Sequence, residues 1–508
     1  MRKLWLVAFG IIIAIGLNAC NTNAEKVEYY KEGVNANNAA NSSFELSPDS
    51  QFPPLSEPPI RLSVRPSVTL RENLPAPYCE PITGISRPFA SDAEFLVSEL
   101  ETTHPMFILE GRLYIGYEAL REEYLRHTSE QMTHTEFVLA TQRFLAPLGD
   151  GHLGRTFTTR QGLFQDGSFI DLTFIARPYG MFLADENGVI TNYEVIGIGG
   201  VCIEIIFDIV DTYYARYNEF GRLRNHSRYS RYELMLRRAG AQLITYNGRL
   251  TTELSLWQEY PDGGTLTHKF VMFTEDHPSN YRVSRIYPEF SYEHKGDIVY
   301  IRLYTLIVNE ARTAELIQVI RGAMDDGARK FIIDLRNNPG GFTFFAHELL
   351  LAMGMVVPVP GNYIRIGEQI RPFVEEHLRA SFSPIRYEEL LDEGIVFSPP
   401  HTNPENPYGV FIVVLVNRYS FSAAPMFAGY IVDSGFGVVI GEPPSSGPAV
   451  SGTVLNIDLP LSGIRIRSTY TSLNRIDLEA DPQVLWPDIW VNEWEALDVA
   501  LELLADLD

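Results

Sequence analysis

The sequence predicts an α/β protein organised on a parallel sheet, and two runs of alternating strand and helix carry the prediction. In the first, DIVYIRLYTL from Asp297 reads as a strand, Thr313 to Met324 as a helix, and KFIIDL from Lys330 as the next strand. In the second, FIVVLVN (Phe411 to Asn417) precedes a helix with Ala423, Met426, Phe427 and Ile431 at apolar periodicity, and GVVIGE (Gly437 to Glu442) follows as another strand. Strand, crossover helix and strand in this order make neighbouring strands parallel. The 508 residues are 45% hydrophobic and 12% aromatic, ample for packed cores. A net charge of −23, from 41 basic and 64 acidic side chains, argues against nucleic acid or an anionic membrane surface as a partner.

From the N-terminus, Arg2 and Lys3 precede an apolar run, Leu4 to Leu17, too short for a comfortable membrane span and ending in LNAC. Residues 1–20 thus resemble a bacterial lipoprotein signal with its lipobox. Cleavage before Cys20 and acylation of its thiol would anchor the chain to the outer face of a bacterial membrane. Cys79 and Cys202 are the other two cysteines, and their spacing does not decide whether they pair. Residues 21–90 read as a tether: Asn, Ala and Ser fill Asn35 to Ser43, and prolines recur from Pro53 to Pro88.

Ser91 to Glu94 (SDAE) reads as a capping box that opens a helical region, 91–160, with helices expected at 92–102, 116–128 and 134–147. It ends in LGDGHL, Leu148 to Leu153, which places His152 in a glycine-flanked turn. From 161 to 275 the texture changes to short strands around a helix, with Tyr193 to Tyr217 reading as strand, GG turn and amphipathic segment. Residues 285–500 form the expected core, interrupted between 355 and 408 by proline-rich turns and a charged helix near Glu368 to Ala380.

Three segments carry candidate chemistry. In NRYSFSAAPMFAGY, Asn417 to Tyr430, Ser422 stands before an apolar helix, where unpaired amides and the helix dipole favour developing negative charge. A simple N-cap serine has the same signature. In KFIIDLRNNPGGFT, a buried strand runs into Asn337 to Gly341, a turn that exposes backbone amides suited to an oxyanion; an ordinary strand exit is the plain alternative. His152 has the right residue type for a general base, although a lone histidine is more often structural.

Taken together and in order, Gly149 to His152, Asp334 to Gly341 (DLRNNPGG), Ser420 to Pro425 and Gly441 to Gly447 (GEPPSSG) resemble the C-terminal processing, or tail-specific, serine peptidases. The resemblance runs from about Ser91 to Trp494. It implies a core of ββα units like that of crotonase and Clp protease, with a PDZ-like or covering lobe at 161–275. The family's Ser/Lys branch places a lysine after the nucleophile, but no lysine follows Lys330. The resemblance therefore points to the tricorn-like branch, with Ser422 as nucleophile, His152 as base and Glu479 as the acid orienting it, Asp477 being the runner-up. The backbone N–H groups of Gly340 or Gly341 and of Ala423 would form the oxyanion hole. Pro425, Phe421 and Gly151 depart from the family pattern. The implied activity is a lipid-anchored, exported serine endopeptidase acting on unfolded or extended polypeptide, with neither metal nor cofactor; the alternative is a retired peptidase scaffold that binds peptide or an apolar ligand.

Overall fold

The computed structural model describes residues 88–107, 115–155, 168–185, 188–260, 263–274, 288–356, 362–365, 395–398, 403–477 and 479–507. The leader, Cys20, the tether up to 87, Cys79 and the charged helix expected near 368–380 lie outside them. The described chain divides into two compact units, one within Gly167–Val210 and His226–Glu275, the other within Cys79–Asp166, Asp211–Asn225 and Asp276–Asp508.

In the larger unit a six-stranded sheet follows the order Phe290–Lys295, Ile298–Leu303, Lys330–Asp334, Phe411–Val416, Gly437–Gly441, Ile489–Trp490. The first pair is antiparallel and every later pair parallel. The apolar runs are nearly continuous because both faces are covered. Phe331, Ile333, Ile412, Val414 and Val416 pack under the helices Glu310–Asp325, Thr343–Ala352 and Ala423–Asp433, whereas Ile332, Val413 and Leu415 meet the helix Ala496–Ala505. Alternate residues of one strand thus serve two cores. The outcome matches the expected α/β class, with the first helix starting three residues earlier than expected because Asn309 caps it through Arg312 N–H.

The N-terminal helices, Ala90–Thr103, Tyr117–Thr128 and His134–Leu145, pack on Ile457 and Ile466 of the antiparallel pair Ser451–Asp458 and Arg465–Leu473, and on Leu459 and Ile464 in the connection between the two strands. SDAE is not a capping box. The helix begins at Ala90 without a side-chain cap, and the Asp92 carboxylate accepts instead from the N–H groups of Leu461 and Ser462, both at 2.7 Å. A true capping box sits at Thr133 and Glu136.

The smaller unit is an eight-stranded antiparallel sheet whose long strands, Ile190–Ile198, Arg249–Tyr260 and Gly263–Thr274, pair side by side. Gly199 and Gly200 turn with φ of 59° and 77°, values that favour glycine, before the helix Ile203–Tyr213. The segment 211–225 falls in the larger unit, inside the stretch expected to be one lobe.

Phe427 is fully buried against the sheet, while Leu351 is 53% exposed. Phe427→Ala is expected to cost about 3–5 kcal/mol in denaturant unfolding and Leu351→Ala within about 0.5 kcal/mol.

Candidate active site

Two strand ends meet at the site. The strand Lys330–Asp334 leaves the sheet into Leu335–Gly341, and its neighbour Phe411–Val416 into Asn417–Ser422. The two turns are joined by hydrogen bonds: Ser420 Oγ donates to Leu335 O at 2.8 Å, Phe421 N to Asn338 O at 2.9 Å, and Asn337 N to Asn417 Oδ1 at 2.9 Å. Asn338, fully buried, donates to Leu303 O at 2.8 Å, tying in a third strand. Arg418 reaches Glu442 on the next strand end through two buried hydrogen bonds of 3.0 and 2.9 Å. Burial, and then the neighbouring Glu442 carboxylate, push Glu493 above the ordinary carboxylate range while it accepts from Asn417 Nδ2.

On this base Ser422 adopts φ 57°, ψ −120°, a left-handed conformation that side chains rarely take. Its hydroxyl makes no cap bond to the helix Ala423–Asp433. Instead Ser422 Oγ lies 3.0 Å from His152 Nε2, so the N-cap reading fails and a serine–histidine pair stands in its place. The Ser422 N–H donates to Ser446 Oγ, in the GEPPSSG loop, at 2.8 Å.

His152 is held on three sides. Phe421 lies against its ring, with centroids 4.8 Å apart, so this side chain supports the imidazole. The Asp150 carboxylate accepts from His152 N–H at 2.7 Å, the Asx turn expected when Asp precedes Gly, and its Oδ1 lies 3.7 Å from Nδ1. The other Asp150 oxygen accepts from Thr469 Oγ1 and pairs with His104 Nε2, each at 2.8 Å. His104 Nδ1 accepts from Met106 N–H, so Nε2 carries the proton it gives to Asp150. Burial pushes Asp150 up, but the hydrogen bonds to His104 and His152 outweigh it and hold the carboxyl well below its ordinary range. On the third side Tyr217 Oη lies 2.5 Å from His152 Nδ1.

Three expectations change. Glu479 is exposed, its N–H bound to Asp477 Oδ1, and neither acid is paired with His152 among the described contacts. The Asp477 N–H is itself tied to Asp433, which anchors this turn at the far end of the helix Ala423–Asp433. Gly340 is not a free donor either, because its N–H donates to Asn338 Oδ1 at 2.8 Å. Its role is close approach: a Cβ there would lie 2.6 Å from Phe421 O and 2.8 Å from Ala423 N. Gly341 and Ala423 keep N–H groups without a partner among the described residues. Gly151 also has a steric cause, since a Cβ would come 2.7 Å from the Tyr217 ring. Pro425 is buried in the first helical turn, where its missing N–H removes no intrahelical bond. Asp150 was detectable from its Asp-Gly turn, whereas Tyr217, 65 residues from His152, has no local signal.

Residues 297–470 match the sequence model of Peptidase family S41. No curated protein matches the chain. Among solved structures, mature CPAF is 17% identical with a TM-score of 0.56, over 82% of this chain and 95% of that one. Mature CPAF complexed with lactacystin gives 16%, 0.52, 82% and 97%. The photosystem II D1 C-terminal processing protease gives 14%, 0.42, 79% and 94%. At such identities the CPAF likenesses establish the fold. Together with the match of residues 297–470 to Peptidase family S41, they support a serine peptidase of the C-terminal processing type.

Gly340→Ala, at φ 92° and with Phe421 O, Ala423 N and Ser422 Cβ all within 2.8 Å of the new Cβ, must push the two turns apart. The expected result is a loss of about a hundredfold or more in kcat on a fluorogenic peptide, with the helical circular-dichroism signal retained.

Proposed function

We propose that this S41-family serine peptidase is an exported, membrane-tethered endopeptidase that cleaves unfolded or extended polypeptide with Ser422 as nucleophile and His152 as base. The observation that carries the reading is the 3.0 Å approach of Ser422 Oγ to His152 Nε2, with the hydroxyl not spent on a helix cap. An unaided hydroxyl is a weak nucleophile at neutral pH, so Nε2 takes its proton as Oγ attacks the scissile carbonyl. The Gly341 and Ala423 N–H groups suit the resulting oxyanion, and Ala423 opens a helix whose dipole adds to them. His152 then passes its proton to the leaving amine. Water repeats the sequence on the acyl-enzyme.

The absence of lysine after Lys330 supports the histidine-based branch over the Ser/Lys one. Tethering rests on the apolar run and LNAC. An acyl chain on Cys20 would supply the attachment.

A fluorophosphonate should label Ser422 in the wild type but not in Ser422→Ala, and Ser422→Ala should not digest casein. His152→Ala is expected to keep less than about a tenth of wild-type activity. No labelling of folded wild type would favour the retired-scaffold reading.

Mass spectrometry of the membrane-extracted chain should find a mature N-terminus at Cys20 carrying acyl groups. A start at any other residue overturns the tether.

A further inference from the structure

We propose that Tyr217 is the positioning residue of this site: its phenol selects the histidine tautomer, the part a carboxylate plays in other serine hydrolases. The proposal rests on the Ser422–His152 reading above. The phenol has one proton, and its Oη lies 2.5 Å from His152 Nδ1 and 3.0 Å from Ser451 O. A carbonyl oxygen accepts and never donates, so the phenol proton goes to Ser451 O. The Oη lone pair then faces Nδ1, which must carry its proton to make a bond. That leaves Nε2 with a lone pair directed at Ser422 Oγ, 3.0 Å away. With the opposite tautomer, Nε2–H would donate to the hydroxyl and could not deprotonate it.

Only one carboxylate among the described residues is paired with Nδ1: Asp150, whose Oδ1 is 3.7 Å away and engaged by the His152 N–H. In this arrangement orientation and countercharge are divided. Tyr217 fixes the proton's position, and Asp150 offsets the positive charge that His152 gains during attack. The sequence makes room for the phenol. A Cβ on Gly151 would stand 2.7 and 3.1 Å from Tyr217 Cδ2 and Cε2, and the Tyr217 ring meets the imidazole edge-on at 72°. Gly151 therefore stands where a larger residue would evict the tyrosine.

The test uses the full chain labelled with 15N-histidine, the His152 signals being assigned by their loss in His152→Asn. In neutral wild-type imidazole the protonated nitrogen should be Nδ1. Tyr217→Phe should shift the population toward Nε2–H and lower kcat by about tenfold or more, with KM within about twofold. Gly151→Ser keeps the phenol but displaces its ring, and the same spectral shift is expected; it decides the matter if Tyr217→Phe does not fold. A wild type protonated on Nε2, an unchanged tautomer in a folded variant, or a Tyr217→Phe kcat within twofold of wild type overturns the proposal. The spectrum is read without substrate. A tautomer shift in a chain that hydrolyses nothing and resists fluorophosphonate would therefore sink the peptidase reading while the positioning role stands.

Discussion

Everything at the site depends on the hydrogen-bonded contact between the turns Leu335–Gly341 and Asn417–Ser422. Neither turn holds its shape alone: Asn337 and Ser422 both sit at positive φ without being glycine. Each such residue costs on the order of 1 kcal/mol or more and persists where its surroundings over-determine it. Here the determinants are main-chain and buried side-chain bonds from Leu335, Asn338, Asn417 and Ser420, anchored on adjacent parallel strands. The strain at Ser422 lifts its hydroxyl off the helix terminus. The same contact demands Gly340, because backbone atoms of the second turn occupy the space a side chain would need.

How far the fold was legible follows from the kind of signal each element carries. Strands such as FIIDL and FIVVLV are buried on both faces and read as apolar runs; helices that cover one face repeat at 3.6 residues. These signals are local, and they located the sheet and the helix after Ser422. SDAE misled because an acid near a helix start can serve a distant partner as well as its own turn, and Asp92 binds the loop at Leu461 and Ser462.

The site was legible where motif residues act through their own turns and opaque where the chain returns from afar. Ser422 and His152 meet as the resemblance implied. Glu479 does not, since its turn is fixed by Asp433 and Asp477 at the far end of the helix Ala423–Asp433. Tyr217 arrives on a segment whose sequence neighbours on both sides belong to a different unit, and no spacing rule connects it to His152. Phe421 and Gly151, which look like defects in a motif, become intelligible once the imidazole and the phenol are seen to lean on them.

His152 and Ser422 stand 270 positions apart, with the whole smaller unit threaded between them. A chain emerging from its ribosome therefore presents His152 long before Ser422. The strand Ile489–Trp490 and the helix Ala496–Ala505, which complete one edge and one face of the central sheet, come later still. An N-terminal fragment truncated before residue 422 holds a histidine with nothing to deprotonate. The pair therefore cannot assemble before residue 422 has been made, whatever the earlier segments have already folded into.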